Sequence, residues 1–251
     1  MAAMVGRQFD RERREIDRIR TVYLRRKQRG VDARYSLFEP GHLFLIQGLE
    51  RAVLGALRRE GLRSLTGLRI LDVGCGGATW LAGLQRYGAK PDALYGVDLR
   101  SEPLLEAPRG LNLSLAAGDT LPFAPESFDL VTQVTMLSSV LDRSMRIRIA
   151  REMLRVLRPS RFLLWYHFTI NPFNPDVRGI GGRELGSLFR GSRIWSERVT
   201  LAPPLARLTA PRAWPASLLL EQLAWLRTHL VATVRPRRTL SAVSEMLPHS
   251  D

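Results

Sequence analysis

One cysteine, two lysines and four histidines are all that 251 residues contain of those types. The lone thiol, Cys75, excludes an intrachain disulfide framework. With no second thiol nearby it also argues against a thiolate metal cluster, so no metal is expected and a reducing cytoplasm suits the chain. No uninterrupted apolar stretch is long enough to span a bilayer, and the opening MAAMVGRQFDRERREIDRIR lacks the apolar core of a signal peptide. A soluble cytoplasmic protein without a transmembrane segment is therefore expected. Acidic residues are also scarce: 24 against 38 basic ones, a formal net charge of +14. That excess raises anionic partners, nucleic acid or an acidic membrane surface, but arginines scattered over solvated faces would give the same count. The hydrophobic content of 45% fits a globular chain, and the length suits one sizeable α/β core with a small appendage.

Periodicity divides the chain. Residues 8–28 carry Phe9, Ile16, Ile19, Val22 and Tyr23 at helical spacing within an Arg/Glu-rich segment, which predicts a weakly amphipathic basic helix. A turn at Glu39-Pro40-Gly41 leads into a stronger helical period over 42–59, stopped by Gly61. Short apolar runs then alternate with helical patterns. Strands are predicted at 68–73, 93–99, 111–119, 128–134 and 162–168, with helices at 78–88 and 143–157, an alternation that builds a doubly wound parallel sheet. Beyond it, 183–189 reads as a short helix and 193–201 as a strand. Residues 201–215 read as a proline-broken surface loop, 216–226 as a helix and 228–234 as a last strand. Residues 1–44 are taken as a basic helical extension, 45–235 as the main domain and 236–251 as a disordered tail.

The stretch ILDVGCGGATW (70–80) is an apolar strand that reaches an acid and breaks into glycines. Such a turn offers backbone N–H groups and a helix start to a ligand, as in dinucleotide-binding folds. Two details disagree with a dinucleotide. Thr79 stands where that fingerprint wants Gly or Ala, and Asp72, two residues before Gly74, would repel a pyrophosphate. A ligand carrying an ammonium and a sulfonium would instead be attracted.

Four motifs occur in order: DVGCGGA (72–78), YGVDL (95–99), GDTLPFAPESFDLV (118–131) and AREMLRVLRPSRFLLWY (150–166). On these the chain, over about residues 45–235, resembles class I S-adenosylmethionine-dependent methyltransferases of the ubiquinone/menaquinone and small-molecule group. The resemblance implies a Rossmann-like fold with a seven-stranded, mainly parallel sheet, and S-adenosyl-L-methionine as cofactor. It implies that Asp72 serves the amino-acid end of the cofactor directly or through water, with Gly74, Cys75 and Gly76 in the turn beside it. Asp98, with Leu99 next to it, would accept from the ribose hydroxyls. Asp119 and the Thr120 backbone would meet the adenine, and Gln133 is counted with the cofactor shell. Two departures stand out: Ala78 replaces a third glycine, tolerable if its dihedrals are helical, and Ser160-Arg161 replaces a Gly-Gly pair.

Methyl transfer is an in-line displacement on an already activated methyl group, so the protein has mainly to align the partners. A hydroxyl or amine acceptor can also need a base. His167, expected at the carboxyl end of the fifth strand, is the candidate base, with Tyr166 beside it and Asp142 as a possible orienting group; a hydrogen-bonded structural histidine is the competing reading. His42, His229 and His249 are assigned no chemistry. Thr135, Ser138, Asn171, Asp176 and Arg178 are the candidate acceptor contacts, with Ser139 close by. The loop NPFNPDVRGIGGREL (171–185) suits a polyhydroxylated acceptor, unless Asp176 and Arg178 merely pair with each other. The expected activity is methyl transfer to a hydroxyl of a small-molecule or glycan acceptor. The alternatives are an RNA-binding methyltransferase, with the basic helix on phosphates, and a cofactor-binding module without activity. The extension is either a lid over the cofactor or a solvated helix.

Overall fold

A computed structural model describes residues 2–29, 35–172 and 174–237. A long helix α1 (Ala2–Gln28) leads to α2 (Pro40–Arg59), whose Pro40 sits in the first turn, where a missing N–H costs nothing. The predicted boundary at residue 44 thus falls inside a helix, and Phe44 is fully buried. Strand β1 (Ile70–Val73) follows, then α3 (Thr79–Gly83) with a 3₁₀ turn, Leu84–Tyr87, ending at Gly88 with φ +96°. Next come β2 (Leu94–Asp98), a short α4 (Ser101–Leu105), β3 (Asn112–Leu115) and β4 (Phe128–Val134). After these run α5 (Arg143–Arg155), β5 (Leu157–Phe168), α6 (Gly182–Leu188) and β6 (Ser192–Leu201). The described chain ends with α7 (Pro203–Thr209), α8 (Trp214–Gln222) and β7 (Arg227–Pro236). Residues 238–251, most of the predicted tail, lie outside the described residues.

The seven strands form one sheet in the order β3-β2-β1-β4-β5-β7-β6, the mainly parallel doubly wound arrangement expected. Only β7 runs against its neighbours β5 and β6. Alternation along the strands sorts the core into two layers. Leu71, Val73, Val131, Leu163 and Trp165 face α5 and α6 on one side, joined by Ile19 of α1. Ile70, Leu130, Leu164 and Tyr166 face α2 and α3 on the other.

Three local expectations change. Residues 201–215 are not a loop throughout: Pro203 and Pro204 occupy the first turn of α7, so the prolines begin a helix instead of breaking one. β3 stops at Leu115, and 117–120 turn, with the Thr120 N–H donating to Ala117 O. β5 starts at Leu157, and Ser160 takes φ +66° within it, the conformation a glycine would adopt at lower cost. Arg158 and Arg161 both reach Asp129 from this bend, at 2.8 and 3.0 Å.

Candidate cofactor cleft

The carboxyl ends of β1, β2 and β4 enclose a cavity of about 190 Å³. Its floor is the Gly74–Gly76 turn. The Gly74 and Cys75 N–H groups donate to Val97 O of the adjacent strand at 2.8 and 3.0 Å, so the turn is stapled to β2. Gly74 takes φ +79°, and a Cβ there would overlap the Met136 side chain; Gly76 takes φ +54°. Gly96 of the second motif has a packing reason as well, since a Cβ would lie 2.7 Å from Cys75 Sγ. The Cys75 thiol is buried and pushed well above its ordinary range by desolvation, so it packs and does not attack. Ala78 departs from the expected helical dihedrals: it caps α3 in the left-handed region, φ 56° and ψ 19°. That conformation costs an alanine about 1 kcal/mol, and burial of its methyl against Leu81 and its neighbours is the compensation.

Of the predicted cofactor residues, Gly74, Cys75, Gly76, Asp98 and Leu99 line this cavity. Asp98 Oδ2 accepts from Gly76 N at 2.9 Å, and Oδ1 accepts from Arg100 N and Nε at 3.0 and 3.2 Å. Asp72 lies one layer beneath the turn, 2% exposed. It accepts from Thr132 Oγ1 at 2.7 Å, and burial pushes its carboxyl up to about 7, with the nearby Asp98 charge adding to the rise. Its field can act on a ligand from below the floor, but its atoms are not on the wall.

Other assignments need correction. Asp119 is not on the cavity wall; its carboxylate is held by Arg148 at 3.0 Å, which also pairs with Glu12 of α1 at 2.8 Å. Thr120 likewise stays outside. Gln133 is fully buried; with its amide turned to satisfy both groups, its oxygen accepts from Thr135 N at 3.0 Å and Met136 N at 2.7 Å, so it shapes the turn after β4 instead of meeting a ligand.

The catalytic candidates are also displaced. His167 is fully buried and stacked on Trp165 with centroids 5.5 Å apart. Its Nδ1 is 2.8 Å from Phe168 O, and desolvation pulls it down to about 3, so it stays neutral and out of reach of the cavity. Tyr166 points to the other face, donating to Thr200 Oγ1 at 2.8 Å and stacked on His229. Asp142 does not orient His167. It caps α5 by accepting from Met145 N at 2.8 Å and pairs with Arg11.

Among the acceptor candidates, Thr135 lines the cavity, at the left-handed start of a 3₁₀ turn, Met136–Ser139. Ser138 is buried and donates to Thr135 O at 2.6 Å; its neighbour Ser139 is the one on the wall. Asn171, Asp176 and Arg178 do not line it. Arg178 approaches Glu184 at 3.7 Å, so it does not form the pair with Asp176 that was one reading.

Of the two readings of the leading helix, lid or solvated helix, its position over the cavity fits the first, while the polar contacts that hold it there were not foreseen. Ile19 and Tyr23 of α1 line it, and Tyr23 OH is 3.0 Å from Ser139 Oγ. The Arg100 guanidinium lies 3.8 Å from the Tyr23 ring centroid, a cation–π contact that ties the Asp98 corner to α1. Glu15 and Arg18 pair through two 2.9 Å bonds. Glu15 also accepts from Leu141 N and Asp142 N at 2.5 and 3.3 Å, while Arg18 donates to Ser139 O. Burial alone would raise the Glu15 carboxyl, but the Arg18 and backbone hydrogen bonds hold it below its ordinary value. The available signal was the apolar spacing of Ile16, Ile19, Val22 and Tyr23.

Residues 70–160 match the family described as "Methyltransferase domain". A ubiquinone biosynthesis O-methyltransferase of Azorhizobium caulinodans is 28% identical over 164 residues, and the match spans 60% of this chain and 60% of that protein. Among solved structures, an S-adenosylmethionine-dependent methyltransferase from Mesorhizobium loti is 24% identical, over 73% of this chain and 98% of that one, with a TM-score of 0.52. A 1,6-didemethyltoxoflavin-N1-methyltransferase of Burkholderia thailandensis, solved with 1,6-didemethyltoxoflavin and S-adenosylhomocysteine, is 16% identical over 91% and 90% of the two chains. Its TM-score is 0.61.

Proposed function

With a class I S-adenosylmethionine-dependent methyltransferase domain as the frame that holds this cavity, we propose that the chain transfers a methyl group to an acidic hydroxyl of a small molecule. The carrying observation is the glycine turn with a carboxylate on each side of it, Asp72 below and Asp98 on the wall. Two carboxylates suit a ligand that brings an ammonium and a ribose diol, and do not suit a pyrophosphate. The cofactor supplies an electrophilic methyl on a sulfonium.

What the chain contributes is position. Asp98 offers acceptors at the end of β2, Val97, Leu99 and Met136 give an apolar lining, and Ile19 and Tyr23 close the top against water. In this reading α1 is a lid, pinned by Glu15 to the backbone beyond β4. No histidine or glutamate lines the cavity among the described residues, and its one aspartate is already bonded to Gly76 and Arg100. A base near neutral pH is therefore lacking at the wall, which favours an acceptor that ionises unaided, such as a phenolic or enolic hydroxyl. The glycan reading loses its support because Asp176 and Arg178 stay off the wall. The relatives' names agree with small-molecule acceptors, an O-methyltransferase in one case and an N1-methyltransferase in the other.

The test is transfer of a labelled methyl group into fractionated small molecules, followed by a pH–rate profile on phenols of different acidity. The midpoint should follow the phenol. A midpoint that stays fixed while the acceptor changes would require a protein base and overturn the reading.

A further inference from the structure

The segment between β6 and β7 does not fit a fully soluble surface. Because β6 and β5 both run against β7, residues 202–226 leave the sheet at the end where the cofactor cavity opens. Within α8, Leu218, Leu219 and Leu220 are consecutive and so spread over about 200° of a helix that advances about 100° per residue. No single buried face accommodates all three. Leu220 joins a small core with Phe44 and Leu201, whereas Leu219 is left 71% exposed, with Leu218 exposed beside it. The 3₁₀ turn that follows leaves Leu223 exposed and Trp225 at 74%. Large exposed apolar surface marks an interaction site.

Neighbouring elements extend this surface. Leu208 on α7 is exposed, and α7 lies against the start of α2, where a Cβ on Gly41 would meet the Arg207 backbone. Just before that start, Leu37 is exposed and Phe38 is 97% exposed. The charge of the region is net basic: Arg207 and Arg212 are exposed against the exposed Glu39 beside Phe38, and Glu221, the sole carboxylate of residues 202–226, is paired with Arg51 at 2.6 Å. The full chain carries +14. No described helix is long and apolar enough to cross a membrane, which leaves contact with its surface.

We propose that the α7–α8 surface with Phe38 docks onto an anionic lipid bilayer. Leu219, Leu223, Trp225 and Phe38 enter the interfacial layer, and Arg207 and Arg212 meet acidic headgroups. The docked surface and the cavity then lie at the same end of the sheet. This goes beyond the methyl-transfer reading and does not depend on it.

The test is sedimentation of the full chain with vesicles of phosphatidylcholine alone or mixed with phosphatidylglycerol. Binding should be about tenfold or more stronger with the acidic lipid and should fall with salt. Leu219→Ser with Trp225→Ser should reduce it about tenfold, as should Arg207→Glu with Arg212→Glu. Leu105→Ser, an exposed leucine on α4 beside the opposite edge of the sheet, should leave it unchanged. S-adenosylhomocysteine affinity, measured on every variant, should not move, which separates loss of docking from loss of fold or of the cofactor cleft. The proposal is overturned if the wild-type chain does not sediment with acidic vesicles, or if the paired substitutions leave sedimentation intact. It is equally overturned if the chain ignores vesicles and forms a dimer that Leu219→Ser with Trp225→Ser dissolves, because the surface would then join two copies.

Discussion

Asp72→Asn should make the ligand-free protein more stable while weakening cofactor binding. The Asp72 carboxyl is 2% exposed and accepts a hydrogen bond from the Thr132 hydroxyl. An asparagine keeps that bond, with its amide oxygen as acceptor, and removes the charge. Burial moves the carboxyl from 3.8 to about 7. At about 1.4 kcal/mol per pH unit, the ionised form costs the fold about 4 kcal/mol at most. The sign follows from linkage. The unfolded chain ionises near pH 4 and the folded one near 7, so the cost grows across that window and is constant above it. Roughly half of it accumulates between pH 5 and 7. Relaxation around the site halves such figures, which leaves about 2 kcal/mol, or a rise of about 4–8 °C in Tm at pH 8 for a chain of this length. Differential scanning calorimetry at pH 5 and pH 8 measures it, and the gain should be clearly larger at pH 8. A variant less stable than wild type at pH 8, or equally stabilised at both values, would refute the reasoning.

Other substitutions test the surroundings of the cleft. Glu15→Ala removes the acceptor that pins α1 to Leu141 and Asp142, so S-adenosylhomocysteine should dissociate faster and bind about tenfold more weakly by calorimetry. Glu184→Gln strips the counter-charge from Arg146, whose side chain is fully buried and bonded to Glu184 at 2.5 Å. It should cost about 3 kcal/mol in urea unfolding, since it leaves a buried charge unpaired. His167→Gln should keep kcat within about threefold and leave the pH–rate midpoint unmoved, because the imidazole never charges near neutrality; a hundredfold loss in a folded variant would restore it as a base.

Local chemistry made the sheet and its glycine turn readable from the chain. Apolar runs such as LRILDV and FDLVTQV each became a strand, and the DVGCGGA turn lies where its acid and glycines place it. Asp98 was legible as a residue of the cavity wall because it is a carboxylate at the end of an apolar strand. His167 and Tyr166 failed for a long-range reason. β7, separated from β5 by more than fifty residues, pairs with it through Phe168, so the last residues of β5 are interior and face the two cores instead of the cleft. The Asp119 prediction failed on a partner from another element, Arg148 of α5. α7 was hidden by its prolines, whose meaning depends on whether a helix begins or ends there. The closing helix was visible as an amphipathic pattern, but nothing local decided between a lid over the cofactor and a solvated helix, because its anchors, Leu141 and Ser139, lie more than a hundred residues away.

The most direct test of the central claim is calorimetric titration of the wild-type chain with S-adenosylhomocysteine and, separately, with a nicotinamide dinucleotide, from pH 6 to pH 8. The account predicts saturable one-to-one binding of the first, weakened by Asp98→Asn and tightening as Asp72 ionises towards pH 8, with no heat from the second. Binding of the dinucleotide together with silence towards S-adenosylhomocysteine at millimolar concentration would contradict it.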